Sequence, residues 1–208
     1  MGMRIAVFAS GGGSDLQAII DACESGRLNA HVCVIISNNS GSGALQRAKK
    51  HGIPAFHLSS KTVAAQKNSA SLDETILNTL HEHKTDIIFL AGYMKKLGSN
   101  ILKTFENRIF NIHPSLLPKY GGKGMYGINV HTAVISAGEK ETGITIHRVI
   151  EEYDKGEIIA QRRVPVLDGD TPEVLAARVL AQEHLFIVEV LGDIIKNLGT
   201  PSQTLRTF

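Results

Sequence analysis

The chain has 208 residues, 43% of them apolar and 20% charged, with a formal net charge of +2. That length supports a core without disulfide or metal support, and the balanced composition excludes disordered and fibrous classes. So small a positive excess argues against a nucleic-acid surface, because Lys49-Lys50 and Lys95-Lys96 are isolated pairs rather than one basic face.

Cys23 and Cys33 are too few for a disulfide framework and lack the spacing of a metal site, so a reducing cytoplasm is expected and no metal is. No run is long enough to span a membrane, and the N-terminus enters an apolar strand pattern at once, without a signal-like segment. From residue 4 to about 111, short β-branched runs alternate with amphipathic stretches, the pattern of β-α-β units and a mostly parallel sheet. "RIAVFAS" (4–10) predicts a buried strand, "SDLQAIIDACESG" (14–26) a helix, and "AHVCVIISN" (30–38) a second strand. "GALQRAKKHG" (43–52) predicts a helix closed by Gly52, and "IPAFHLS" (53–59) a short strand. Ser71 and Glu74 form a capping box for a helix over 71–84, with Leu72, Ile76 and Leu80 on one face. "TDIIFLAG" (85–92) and "RIFNIH" (108–113) predict strands around a short helix near 99–105. Beyond a glycine-rich loop come a helix in "VHTAVISAG" (130–138) and a strand pair flanking "EEYDKG" (151–156). Thr171 caps a last helix, with Pro172 at its first position, that runs to about 197 before an irregular tail. One domain over 1–208 is expected.

Three places could carry chemistry. "ASGGGSDLQ" (9–17) joins the first strand to the first helix, where free N–H groups and the helix dipole favour an anion. It is neither a dinucleotide fingerprint, whose third glycine would fall on Leu16, nor a P-loop, and it is equally explained as a turn in which Ser14 and Gln17 form a capping box. In "RIFNIHP", strand alternation sets Asn111 and His113 on one face and Ile112 on the other, and Pro114 ends the strand at its carboxyl end, where open α/β sheets bind ligands. An amide N–H can stabilise an oxyanion and an imidazole can move a proton, although a turn-capping Asn111 and a buried, satisfied His113 fit as well. Asp154 is either a turn residue or an acid that orients an imidazole; His147 and Glu183-His184 are equally open.

The order "GGGSDLQ", "LAGYM", "NIHPSLLP", "TGITIH", Asp154 and "QEH" resembles the phosphoribosylglycinamide formyltransferases, also called glycinamide ribonucleotide transformylases, across nearly all of residues 3–197. The resemblance implies an α/β, Rossmann-like formyltransferase fold with a mixed, mostly parallel sheet flanked by helices. It also implies 10-formyltetrahydrofolate as formyl donor, glycinamide ribonucleotide as acceptor, and a monomer or homodimer with no nucleic-acid or membrane partner. By the same match Asn111 and His113 hold the oxyanion, while Asp154 positions His113 and a proton-relaying water. Gly12, Gly13, Ser14 and Asp15 would meet the phosphate, and Glu183 the glycinamide. Met94, Lys95, Lys96 and Leu97 would wall the folate pocket together with Ile150, Glu151, Glu152 and Tyr153, and Arg108 would contact the folate or phosphate region. Asp15 stands where relatives carry asparagine, and the arginine they carry before a helix has no counterpart, so that either Lys67 substitutes for it or the contact is lost. The glycine loop in "KYGGKGMYGINVH" (119–131) replaces a shorter segment and suggests a mobile lid. Methionyl-tRNA formyltransferase would need an RNA-binding domain, and formyltetrahydrofolate deformylase an extra N-terminal domain; a non-catalytic nucleotide-binding module would use the glycine loop alone.

Overall fold

The computed structural model describes residues 2–64 and 71–199. Lys67 and the tail beyond 199 lie outside the described residues. The first half comprises β1 (Met3–Phe8), α1 (Ser14–Glu24), β2 (Ala30–Ser37), α2 (Gly43–Lys50), β3 (Ala55–His57), α3 (Ser60–Ala64) and α4 (Leu72–Glu82). It continues with β4 (Ile87–Leu90), α5 (Ser99–Thr104), β5 (Ile109–His113), α6 (Ile128–Ser136), β6 (Glu141–Arg148), β7 (Ile158–Pro165) and α7 (Pro172–Gly199).

The sheet order is β3-β2-β1-β4-β5-β6-β7. β1 to β5 are parallel, whereas β6 runs antiparallel to both β5 and β7. The chain winds outward from β1 to β3, then returns to the other side of β1 with β4, so β1 and β4 diverge at a topological switch point. Central strands are covered on both faces: Ile5 and Val7 pack with Leu16, Ile19 and Leu191, while Ala6 and Phe8 pack with Ile76, Leu80 and Phe105. This explains why β1 reads as a continuous apolar run rather than an alternating one. Each such side chain taken from water contributes roughly 1.5–3 kcal/mol.

The expected elements are present, with α3 an additional one-turn helix that short-range pattern does not signal. The Ser71–Glu74 capping box forms, with both reciprocal bonds made. Thr171 caps α7 by accepting from the Val174 N–H. The Ser14–Gln17 box does not form: Gly13 is the N-cap, at φ 73° and ψ 33°, and Gln17 turns instead to Asp21 and Arg47. A left-handed glycine starts the helix one residue earlier than a serine cap would.

Candidate active site

β5 ends at His113, and its antiparallel neighbour sets Asn111 opposite His147 and His113 opposite Thr145. His113 is buried and its Nε2–H donates to the Tyr120 carbonyl at 2.7 Å. The proton is thereby assigned to Nε2, leaving Nδ1 as the basic nitrogen, 3.8 Å from Asp154 Oδ2. His147 is locked the other way, its Nδ1–H donating to the Arg148 carbonyl at 2.8 Å. Nε2 of the neutral ring therefore accepts from Asn111 Nδ2 at 3.0 Å, which orients the amide and leaves its second N–H unused by that bond. The same Nε2 also lies 3.4 Å from Asp154 Oδ1.

Asp154 sits in the β6–β7 connection with φ 55°, a left-handed conformation rare outside glycine. Oδ2 accepts from the Gly122 N–H at 2.8 Å, tying this turn to the glycine-rich loop. Burial pushes the carboxyl pKa up, but the two neighbouring imidazoles of His147 and His113 and the Gly122 N–H, which favour the ionised form, outweigh it, so the group lies below the usual carboxylate range. His113 is pushed below its ordinary value by burial, with Asp154 opposing the shift. The result is a neutral imidazole with an ionised carboxylate ready to stabilise its protonated form. His131 of α6, also buried in this cleft, is lowered by burial and by His113.

The second part of the site is the loop after β1. Gly13 cannot be replaced cheaply, because it has a positive φ and a Cβ there would lie 2.9 Å from Ala44 Cα. No atom lies within 4 Å of the Cβ positions of Gly11 and Gly12, so the backbone is open on that side. Arg47 holds the loop from behind, its Nε donating to the Gly12 carbonyl at 2.9 Å. Ser10 joins the loop to the end of β4, through Ser10 N–H to the Gly92 carbonyl and Met94 N–H to Ser10 Oγ. Among the described residues the N–H groups of Gly12, Gly13 and Ser14 have no backbone acceptor, which is the arrangement of an anion site at a helix start.

Asn111, His113, Asp154 and Glu183 line a cleft of about 480 Å³; of the β1–α1 loop only Asp15 reaches its lining, and Gly12, Gly13 and Ser14 lie outside it. Met94, Lys95, Lys96 and Leu97 lie along one wall; Ile150, Glu151, Glu152 and Tyr153 lie along another. Lys96 pairs with Glu151 across the mouth at 3.5 Å. Arg108 is a correction to the sequence expectation: its guanidinium donates to the Thr104 and Asp86 carbonyls and lies 4.9 Å from the centre of the Phe105 ring, outside the cleft lining. It precedes the first residue of β5, roughly 15 Å along the strand from His113. Sequence reasoning left His147 open and passed over Arg47, Ser10, Tyr120 and His131. The strand alternation of "TGITIH" marks a face for His147, but only the β5–β6 register brings it to Asn111.

Residues 3–191 match the sequence profile described as "Formyl transferase". The chain belongs to the formyl transferase family. Its relatives in this family include the chloroplastic phosphoribosylglycinamide formyltransferase of Vigna unguiculata, 47% identical over 90% of this chain and 59% of that protein. The phosphoribosylglycinamide formyltransferase of Haemophilus influenzae is 41% identical over 87% of this chain and 82% of that protein. The crystal structure of glycinamide ribonucleotide transformylase 1 from Symbiobacterium toebii superposes with a TM-score of 0.85 at 38% identity, covering 94% of this chain and 89% of that one. The chain spans only about three fifths of the length of the Vigna relative. Among its described residues no helix is long and apolar enough to cross a membrane, and no cluster of potential ligands suits a metal ion.

Proposed function

We propose that this formyl transferase moves a formyl group from 10-formyltetrahydrofolate to the primary amine of glycinamide ribonucleotide, yielding formylglycinamide ribonucleotide and tetrahydrofolate in de novo purine synthesis. One domain over the chain carries out this reaction in the cytoplasm. The observation that carries the reading is the meeting of Asn111, His113 and Asp154 at the end of β5, in a cleft that meets the β1–α1 loop at Asp15. The folate-side cleft suits a flat heterocycle: Leu90, Leu97, Leu102 and Val149 give it apolar walls, and its rim carries lysines able to meet carboxylates.

Gly12, Gly13 and Ser14 hold the ribonucleotide phosphate, with Asp15 beside it, and Glu183 meets the glycinamide end. The amine attacks the formyl carbon, forming a C–N bond while His113 Nδ1 accepts the released proton. The imidazolium so formed is stabilised by Asp154 and, with the free N–H of Asn111, holds the tetrahedral oxyanion. His113 then returns the proton to the departing folate nitrogen as its bond to the formyl carbon breaks. His147 acts by fixing the Asn111 amide.

The test is the change in folate absorbance with and without glycinamide ribonucleotide. Loss of the formyl group that requires the ribonucleotide is expected; loss without it would identify a hydrolase instead. His113→Ala should lower turnover by ~10² or more with a few-fold change in folate affinity. An unaltered rate would remove His113 from the mechanism, and a wild type without turnover would leave only a nucleotide-binding module.

A further inference from the structure

Asp15 is a puzzle in the anion loop, because a carboxylate beside a phosphate dianion opposes its binding. Its Oδ1, however, faces His184 of α7. Oδ1 is buried without a hydrogen-bond partner and lies 3.6 Å from His184 Nε2, which is also buried and without one. Two orphaned polar atoms facing each other in a packed helix interface are each costly alone, and one proton between them relieves both. With that proton the pair has no net charge, whichever atom holds it.

We propose that His184 is a positioning residue for the anion loop: sharing one proton with Asp15, it turns the carboxyl towards α7, cancels its charge and leaves the Gly12–Ser14 N–H groups open to a phosphate ester. This rests on the reading that the loop takes the ribonucleotide phosphate. Burial raises the Asp15 pKa to about 6, with His184 opposing the rise. Glu183, the other acid facing it, is raised to about 8 by burial and by Asp15, so it is mostly protonated at neutral pH and adds little negative charge. An asparagine at position 15 would need no such partner; an aspartate does.

The test compares His184→Ala, Asp15→Asn and the double variant by steady-state kinetics and by binding of inorganic phosphate, followed through the amide resonances of Gly11 to Gly13. His184→Ala should weaken phosphate binding and raise the ribonucleotide KM about tenfold, with kcat and folate KM moving less than about threefold. Adding Asp15→Asn should restore both to near the wild-type values, and Asp15→Asn alone should bind phosphate at least as tightly as the wild type. Should His184→Ala not fold, His184→Gln fills the position with a neutral amide and the same weakening is expected. Unchanged phosphate affinity in the His184 variant, or a double variant as weak as the single one, overturns the proposal. The phosphate measurement needs no formyl transfer: the pattern in a wild type inactive on glycinamide ribonucleotide would sink the functional reading and keep this one. A wild type that transfers formyl groups but takes no phosphate on the loop would do the reverse.

Discussion

His113 and His147 are neighbouring histidines held in opposite tautomers by two main-chain carbonyls, Tyr120 and Arg148. That difference divides the labour, since one ring presents a basic nitrogen to the cleft and the other a nitrogen that orients an amide. Because Asp154 is held below the usual carboxylate range, it stays ionised through mildly acidic pH, and the acid limb of kcat/KM reports His113 and the substrate amine instead. Asp154→Asn removes the charge that raises the His113 pKa, so the His113 limb should move to lower pH while kcat falls by roughly 10². A pH–rate profile checks both; a limb that stays in place would mean Asp154 does not act through His113. Part of this was legible in the sequence. Alternation along "RIFNIH" aligns Asn111 with His113, and the same alternation counts Arg108 to the opposite face. The approach of Asp154 was not readable, because it depends on strand register and on a left-handed turn that an isolated aspartate does not announce.

At the scale of elements, the site is made by connections rather than by regular structure. The β1–α1 loop is clamped against α2 by Gly13 on Ala44 and by Arg47 on the Gly12 carbonyl, while the glycine-rich loop is pinned to the β6–β7 turn by Gly122 and Asp154. Strand and helix periods name the elements on either side, and Ser71 with Glu74 announces its helix correctly. Ser14 and Gln17 spell the same capping signal and fail, because contact with α2 favours a left-handed Gly13 as the cap, a tertiary cause no local pattern contains. Gly13→Ala should therefore cost about 1–3 kcal/mol of stability, from the positive φ and the clash with Ala44. It should also raise the ribonucleotide KM more than the folate KM. Chemical denaturation and separate KM measurements distinguish this from a general loss of fold, in which both constants and kcat would suffer together.

Across the whole molecule, the sheet order puts the β1 and β4 connections on either side of a switch point, and α7 packs along α1 and lends Ala176, Leu180 and Glu183 to the cleft. The parallel half of this plan follows from the alternation of strand and helix patterns; where α7 docks does not, since an amphipathic helix could cover either face. Its docking buries Glu183 beside Asp15, and burial raises the Glu183 pKa from 4.5 to about 8. Between those values the unfolded chain releases the proton while the folded chain keeps it, so this group's contribution to stability is complete below about pH 4.5 and is lost as pH rises towards 8. Asp15, raised from 3.8 to about 6, adds a loss of the same sign in its own, more acidic window. Glu183→Gln keeps the shape and cannot ionise, so it should melt higher than the wild type at mildly basic pH, with the gap closing as pH falls towards 4.5. Each pKa unit corresponds to about 1.4 kcal/mol, and each kcal/mol to about 2–4 °C in a chain of this size, so a gap on the order of ten degrees is expected at the basic end. Melting curves across that range check it: a gap that does not change with pH would mean that Glu183 titrates as if exposed, and that α7 does not seal the cleft as the structure has it.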